Sequence, residues 1–233
     1  MHIVITRPKE DSSHLIEKLK KLGHLTTHLP VIKIEKLKTK KINLKNYKAA
    51  IFSSSNAIRF LDIEKFDIKI KCFCVGKATE FTAKQFGFIN AYSSEGTVDS
   101  LIELIIRTLG SKSEKLLYLS SEFISKDLDK DLIKEGYSVD RLSNYTSSPV
   151  EEIDEKILNF FKKKPPDVIF IYSSKSAKNL FKLINKYSLL NVVTQSNLMC
   201  ISEKVLLLLE QIKWKKVFIF SPGEEELLLD KIR

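Results

Sequence analysis

Short apolar segments alternate with helix-like segments along the whole chain, and this alternation limits the folds that the chain can adopt. The apolar segments are rich in β-branched and aromatic residues, which favours strands over short buried helices. Strands are predicted at 3–5, 49–52, 72–75, 116–119, 168–172, 199–201 and 217–220, with weaker candidates near 26–29, 91–92 and 138–142. Leu15, Ile16 and Leu19 form one of the intervening helical stripes, which Gly23 ends. Alternating strands and helices predict parallel sheets with helices on their faces.

A diffuse internal repeat further restricts the architecture. Residues 51–57 (IFSSSNA) match residues 171–177 (IYSSKSA) at an offset of 120, and residues 74–76 (CVG) match residues 200–202 (CIS) at an offset of 126. The order of segments is therefore A-B-A′-B′. Each A is a strand-helix-strand segment, and each B contains three strands with helices. An A needs a B to complete a five-stranded sheet.

Two pairings of these segments are open. A tandem order joins A to B and A′ to B′, whereas a crossed order joins B to A′ and the first A to B′. The crossed order needs two connections between lobes, at 31–48 and near 146–150. The lysine-rich stretch 33–48 suits an exposed connector, and the Ser-Ser-Pro at 147–149 suits a second. The periodicity does not choose between the two orders.

Composition and charge limit the partners. Apolar residues make up 43% of the 233 residues and charged residues 29%, as in ordinary globular proteins. The net charge of +10 comes from 39 basic residues, of which five are Arg. Either the surface is simply lysine-rich, or a basic field attracts a polyanion. Clustered Arg and exposed aromatics, which nucleic-acid binding usually adds, do not stand out. No apolar run approaches the roughly 20 residues of a membrane helix. We therefore expect neither a nucleic-acid nor a membrane partner.

The familiar catalytic motifs are absent from the sequence. It contains no GxGxxG, GxxxxGK[ST], HExxH, CxxC or GxSxG. Four His residues lie in the N-terminal region, and we expect surface or strand positions for them rather than metal ligation. Of the three Cys residues, Cys72 and Cys74 are predicted to be buried thiols. Three cysteines cannot form a disulfide framework, and the first eleven residues do not resemble a signal peptide. These features predict a reduced, cytoplasmic protein.

Hydroxyl-bearing and other polar side chains follow several of the predicted strands. In parallel α/β sheets, ligands bind outside the carboxyl ends of the strands. Ser and Thr at these positions also cap the next helix. The two roles can coexist, because a helix N-terminus offers free amides to a carboxylate. The candidates at strand ends are Thr6, Arg7, Ser53, Ser54, Asn56, Gly76, Thr79, Tyr145, Ser173 and Ser174.

The motifs that carry these residues resemble those of the uroporphyrinogen-III synthase family. They are IVITRP at 3–8, LPV at 29–31, IFSSSNA at 51–57, VGKAT at 75–79, NY at 144–145 and FIYSS at 170–174. Each motif is short, but their order and spacing follow the family over nearly the whole chain. One segment departs from it, since residues 202–205 (SEKV) replace the family's Gly-x-x-Thr.

The resemblance implies an α/β fold of two flavodoxin-like lobes in the crossed arrangement. Each lobe would be a five-stranded parallel sheet flanked by helices, and a two-stranded connector would join the lobes. The expected boundaries place residues 1–35 and 147–233 in the first lobe and residues 36–146 in the second.

The resemblance also implies an activity. Members of the family are lyases (hydro-lyases) of porphyrin and heme biosynthesis. They cyclise the linear tetrapyrrole hydroxymethylbilane to uroporphyrinogen III, with loss of water and inversion of ring D through a spiro intermediate. No metal or organic cofactor is implied. The implied partners are a tetrapyrrole with eight carboxylates, which suits a basic field, and a transient contact with the preceding pathway enzyme. A monomer is expected.

Residue roles follow from the same resemblance. Tyr145 matches the family's cleft tyrosine, so we expect it to assist departure of the substrate hydroxyl. Substrate contact is expected for Thr6, Arg7, Ser53, Ser54, Asn56, Gly76, Thr79, Ser173 and Ser174. The alternative hypothesis is a non-catalytic two-lobed sensor or carrier of a polycarboxylate ligand.

Overall fold

The computed structural model consists of strands interspersed with helices and describes residues 1–67, 69–110, 112, 115–221, 224, 225 and 229. The strands are β1 His2–Ile5, β2 Leu25–His28, β3 Ile32–Lys36, β4 Ile42–Asn43, β5 Ala49–Phe52, β6 Ile63–Lys65, β7 Lys71–Cys74, β8 Asn90–Ser93, β9 Lys115–Ser121, β10 Ser138–Pro149, β11 Val168–Ile171, β12 Asn197–Cys200 and β13 Val217–Ile219. The helices are α1 Lys9–Lys21, α2 Ser55–Arg59, α3 Lys77–Phe86, α4 Val98–Leu109, α5 Leu128–Lys134, α6 Glu155–Lys163, α7 Ser174–Lys186, α8 Leu190–Val193 and α9 Glu203–Leu206. The predicted α/β class, with parallel sheets flanked by helices, is confirmed.

The chain divides into two compact units. Unit 1 comprises Met1–Lys33 and Ser148–Arg233, and unit 2 comprises Ile34–Ser147. Unit 1 contains a five-stranded sheet in the order β13-β12-β11-β1-β2, in which the neighbouring strands are parallel. The first two strands of the chain thus share a sheet with the last three.

Unit 2 contains a six-stranded sheet in the order β3-β10-β9-β5-β7-β8, one strand more than the expected five. The additional strand, β3, lies in the predicted connector, which the family resemblance implied to be two-stranded. Val150 N donates to Val31 O (3.0 Å) and Leu37 N donates to Asn144 O (3.0 Å), so β3 and β10 run antiparallel. The other neighbouring strands whose register is defined are parallel. A small sheet of β4 and β6 completes unit 2.

The central strands are buried on both faces, as helices on both sides of a parallel sheet require. In unit 2, the alternating residues of β5 divide between two apolar clusters. Ala50 and Phe52 belong to one, and Ala49 and Ile51 belong to the other. The strand β5 therefore ends in a fully buried residue, and the polar residues that follow it are held at the sheet edge.

Helix ends follow the predicted signals. Gly23, two residues after α1, has a φ of 79°, a left-handed conformation that favours glycine. Thr97 and Ser100 form a reciprocal capping box at the start of α4. Within the described part of the chain, no helix is both long and apolar enough to span a bilayer.

Candidate functional site

In unit 2, the edge where β5 ends carries two of the predicted serines. Ser54 is the N-cap of α2, and its hydroxyl accepts a hydrogen bond from Asn56 N (3.2 Å). The hydroxyls of Ser53 and Tyr118 lie 3.1 Å apart, which ties Ser53 to the neighbouring strand β9. Asn56 is mostly buried, and its Oδ1 accepts from Arg59 (2.7 Å). These contacts give each residue a structural role, and both serines keep partly exposed side chains.

Gly76 and Thr79 follow β7, the next strand of the same sheet. Gly76 is the N-cap of α3 and has an extended backbone with φ −170°. A Cβ built on Gly76 would meet Gly96 Cα at 3.7 Å, an ordinary van der Waals distance, so the conformation does not demand glycine. Thr79 is 5% exposed, and its backbone N–H donates to Gly76 O (3.1 Å). The open surface at this edge is therefore the backbone of the helix start, with Thr79 packed beneath it.

Tyr145 lies in β10, paired with Ser121 of β9. Its side chain is 7% exposed and belongs to an apolar cluster, where its ring centroid lies 6.5 Å from that of Phe60. Its carbonyl accepts from Glu122 N (2.9 Å). Tyr145 is thus a largely packed residue at the carboxyl edge of the unit 2 sheet.

Arg141 organises the same edge, although no sequence motif pointed to it. Its Nε donates to Ser120 Oγ (2.9 Å), and its Nη2 donates to the carbonyls of Ser121 and Glu122 (3.0 Å each). One guanidinium therefore fixes three successive residues where β9 ends. One feature of the sequence could have pointed to Arg141. It is one of only five arginines among 39 basic residues, and it lies in a strand-like segment.

Thr6 corrects one expectation in unit 1. Its side chain has no exposed surface, and its hydroxyl donates to Phe170 O of the adjacent strand β11 at 2.6 Å. A ligand cannot reach this hydroxyl, because the bond is made inside the sheet. Thr6 links β1 to β11, and substrate contact by its side chain is not supported.

Arg7, directly after Thr6, remains partly exposed. Its guanidinium carbon lies 4.6 Å from the ring centroid of Tyr172, a cation–π contact that orients the side chain at the carboxyl edge of unit 1. Burial, and secondarily the nearby Glu225, raises the pKa of Tyr172, while Arg7 opposes the shift. Tyr172 therefore stays protonated at neutral pH, and Arg7 is a cation available at this edge.

The serines after β11 differ from their predicted alignment. The N-cap of α7 is Ser173, whose hydroxyl accepts from Ser176 N (3.0 Å), and Ser174 is the first helical residue. Ser173 thus corresponds to Ser54, at an offset of 119 rather than 120. In the divergent segment, Ser202 caps α9 and accepts from Val205 N (3.4 Å). A hydroxyl cap follows this strand as well.

These edges can bind anions. The starts of α3 and α7 present backbone N–H groups, and neighbouring hydroxyls and Arg7 add donors. The geometry brings Ser53, Ser54, Asn56, Gly76 and Thr79 together after β5 and β7 in unit 2, and Arg7, Ser173 and Ser174 together after β1 and β11 in unit 1. Tyr145 lies two strands from β5.

No group of three or more potential metal-binding side chains occurs among the residues whose placement is described. The three cysteines are buried and free, which confirms the prediction of burial for Cys72 and Cys74. Burial raises the pKa of Cys74 to about 12, so its thiol stays protonated.

The fold and its strand ends define a class: α/β proteins with parallel sheets whose carboxyl edges are rich in amides and hydroxyls. The chain belongs to the uroporphyrinogen-III synthase family, because the family model described as "Uroporphyrinogen-III synthase HemD" matches residues 13–227.

Curated relatives agree with this assignment. The "Porphyrin biosynthesis protein HemD" of Ruminiclostridium josui is 27% identical over 169 residues, which cover 66% of this chain and 34% of that protein. The chain therefore matches only about a third of that relative. A protein of Methanocaldococcus jannaschii, provisionally named as a uroporphyrinogen-III synthase, is 29% identical over 195 residues and 79% of each chain.

Solved structures share the fold. The uroporphyrinogen-III synthetase of Helicobacter pylori 26695 has a TM-score of 0.62 at 17% identity, with 99% of both chains covered. A mutant uroporphyrinogen III synthase of Thermus thermophilus has a TM-score of 0.54 at 15% identity, covering 99% of this chain and 97% of that one. At these identities the likeness shows the fold alone.

Proposed function

We propose that this protein is a uroporphyrinogen-III synthase, a lyase that converts hydroxymethylbilane to uroporphyrinogen III. The observation that carries the proposal is the family match over residues 13–227. The amide- and hydroxyl-rich strand ends support it, because the substrate presents eight carboxylates. The proposed partner is this small polycarboxylate, and the protein would act as a cytoplasmic monomer that meets the preceding pathway enzyme transiently.

The chemistry requires control of geometry more than a strong nucleophile. Free hydroxymethylbilane loses its hydroxyl and closes spontaneously to the uninverted isomer, so the reaction needs no metal or organic cofactor. Loss of the hydroxyl as water leaves an azafulvenium cation. Ring D attacks this cation through the carbon that already carries the bridge to ring C, and this forms the spiro intermediate. The bond from that carbon to the ring C bridge then breaks and re-forms at the other α-carbon of ring D, whose proton is lost, so ring D ends inverted and the net change is loss of water. Holding the reacting ends in one conformer can lower the barrier by several kcal/mol.

The proposed contacts use the exposed donors at the strand ends. Arg7 and the amides at the start of α7 would bind carboxylates in unit 1, together with Ser173 and Ser174. The amides at the start of α3 would do so in unit 2, with Ser53 and Ser54 nearby. Donors that are already fixed by helix caps need little reorganisation when the substrate binds.

Tyr145 is the proposed catalytic residue. Its phenol would donate a hydrogen bond to the departing hydroxyl and so assist loss of water. Its position supports this role in one respect: β10 carries it to the level of Ser121, at the carboxyl edge of the sheet.

The deciding experiment supplies hydroxymethylbilane generated in situ and resolves the uroporphyrin isomers after oxidation. The expected result is isomer III in proportion to the protein concentration. Isomer I alone at every protein concentration would overturn the proposal. If the protein then bound uroporphyrin without changing the isomer ratio, a polycarboxylate sensor or carrier would be the better description.

A further inference from the structure

Phe123 is an exposed aromatic residue directly beyond the end of β9. Its side chain is 70% exposed. A single exposed apolar residue is ordinary on a protein surface. The loop that carries Phe123 is unusual because it is fastened on both sides.

The N-terminal side of this loop is held by Arg141. The guanidinium donates to the carbonyls of Ser121 and Glu122, the two residues before Phe123, at 3.0 Å each. Glu122 N in turn donates to Tyr145 O at 2.9 Å. The backbone carbonyls of Ser121 and Glu122 and the N–H of Glu122 are therefore all hydrogen-bonded to residues of β10.

The C-terminal side of the loop is held by Lys126. Its ammonium forms an ion pair with Asp99 in the first turn of α4. Leu128 N donates to Lys126 O (3.0 Å) as α5 begins. Phe123 thus sits between two anchored points, which limits the backbone entropy that it would lose on binding a ligand.

The register places this loop beside the candidate strand ends. Phe52, the last residue of β5, pairs with Leu119, so β9 runs two residues further to Ser121. The hydroxyl of Ser53 contacts that of Tyr118 on the same strand. Phe123 therefore lies on the carboxyl side of the sheet in unit 2, beyond the β5 edge that carries Ser53.

We propose that Phe123 is a specificity-determining residue whose ring packs against a pyrrole ring of the substrate; this inference rests on the proposed function. The polar groups at the strand ends suit carboxylates but offer nothing to the flat apolar face of a pyrrole. An aromatic side chain supplies that surface through burial and ring–ring contact. Because Phe123 contacts only one pyrrole ring of the substrate, it favours one conformation of the linear tetrapyrrole before the macrocycle closes.

Steady-state kinetics with hydroxymethylbilane test this role. Phe123→Ala should raise KM about tenfold, the loss expected for one aromatic contact, and should increase the share of isomer I. Phe123→Trp, which keeps a flat aromatic face, should restore KM and the isomer ratio. Ile89→Ala is the matched control, because Ile89 is 59% exposed in the same unit but precedes the amino end of β8. It should behave like the wild type.

Binding of uroporphyrin III gives a readout independent of turnover. The chain contains one Trp, Trp214, which is 9% exposed. The indole introduced by Phe123→Trp should therefore add emission that saturating uroporphyrin III quenches strongly, whereas an indole introduced by Ile89→Trp should be quenched much less.

The outcomes separate the two proposals. Failure of the wild type to form isomer III would overturn the proposed function. A wild type that forms isomer III, with Phe123→Ala unchanged in KM and isomer ratio, would overturn only the role of Phe123. Equal quenching of the two introduced indoles would also overturn it. Thermal unfolding of Phe123→Ala should match the wild type, since the side chain is exposed.

Discussion

His2 is fully buried at the start of β1, and both of its ring nitrogens have partners. Nδ1 lies 3.0 Å from Lys164 O, which can only accept, so Nδ1 carries the proton. Nε2 lies 2.8 Å from Thr27 Oγ1. Burial lowers the pKa of His2 below its usual 6.5, against the opposing effect of the Pro165 and Lys164 carbonyls. The folded protein therefore prefers the neutral imidazole.

This preference makes stability depend on pH. Below pH 6.5 the unfolded chain takes up a proton at His2 before the folded chain does, so the free energy of unfolding falls as the pH is lowered. We expect the stability difference between wild type and His2→Gln to shrink from pH 7 to pH 5, as measured by urea unfolding. The control His14→Gln, at an exposed position of α1, should follow the wild-type slope. A constant difference between wild type and His2→Gln would contradict the prediction.

Tyr145 combines a packed ring with a proposed catalytic hydroxyl, and the two roles can be separated. Tyr145→Phe keeps the ring against Phe60 and removes only the hydroxyl, so the loss of stability should be about 1 kcal/mol. If the phenol assists departure of water, kcat should fall about tenfold or more while KM changes little. Tyr137→Phe, which also loses one buried hydroxyl but lies before the amino end of β10, is the control for packing. An unchanged kcat in Tyr145→Phe would remove the residue from the mechanism.

At the scale of elements, α3 is held to β8 through Glu80. Glu80 accepts from Lys84 (2.6 Å), Ser93 (2.5 Å) and Lys77 (3.1 Å). The hydrogen bonds from Lys84 and Ser93 are the main causes that lower its pKa from 4.5 to about 2. A carboxylate in the first turn also complements the helix dipole.

This network should contribute stability above pH 4.5 and lose it as the pH falls toward about 2. We expect Glu80→Gln to lower the free energy of unfolding by about 1 kcal/mol at pH 7, since the lysines are exposed and water screens the pairs. The difference from wild type should nearly vanish at about pH 2. Glu103→Gln, on the exposed side of α4, should have little effect at either pH. A Glu80→Gln effect that stays the same at both values would contradict the prediction.

The sequence predicted most elements because their signals are local. Apolar runs defined the central strands, and Gly23 marked the end of a helix. The charged pattern of β3 indicates only a connector, because this segment becomes a strand by pairing with β10. That the connector is two-stranded came from the family resemblance. The repeat in the sequence also aligned Ser54 with Ser174, at an offset of 120. The two helix N-caps, Ser54 and Ser173, lie 119 residues apart, and the matching residues of the repeat do not reveal this difference of one position. The roles of Thr6 and Arg141 depend on side-chain geometry across strands, which a linear sequence does not specify.

At the scale of the whole molecule, the pairing of segments was the least predictable feature. Ile3 pairs with Val168, across more than 160 residues, and several other strands of the chain are also apolar and buried. Periodicity could not choose between a tandem and a crossed order for this reason. Only the resemblance to a family favoured the crossed order. The observed sheets join β1 and β2 to the three strands at the end of the chain.

The net charge of +10 is the remaining feature of the whole molecule with a functional consequence. A basic field should speed the encounter with the proposed substrate, which carries eight carboxylates, and salt should screen it. Raising the NaCl concentration from about 20 mM to about 300 mM shortens the screening length from about 20 Å to under 10 Å. We expect kcat/KM to fall severalfold over this range, with kcat nearly constant.

Two charge reversals on one helix test where that field acts. Lys175 and Lys182 are both exposed on α7, but Lys175 is the second helical residue, and Lys182 lies about 10 Å further from the strand edge. Both Lys→Glu changes alter the net charge equally. If the edge after β11 binds substrate carboxylates, Lys175→Glu should raise KM several times more than Lys182→Glu, and low salt should widen the gap. Equal KM values would mean that the field acts through net charge alone.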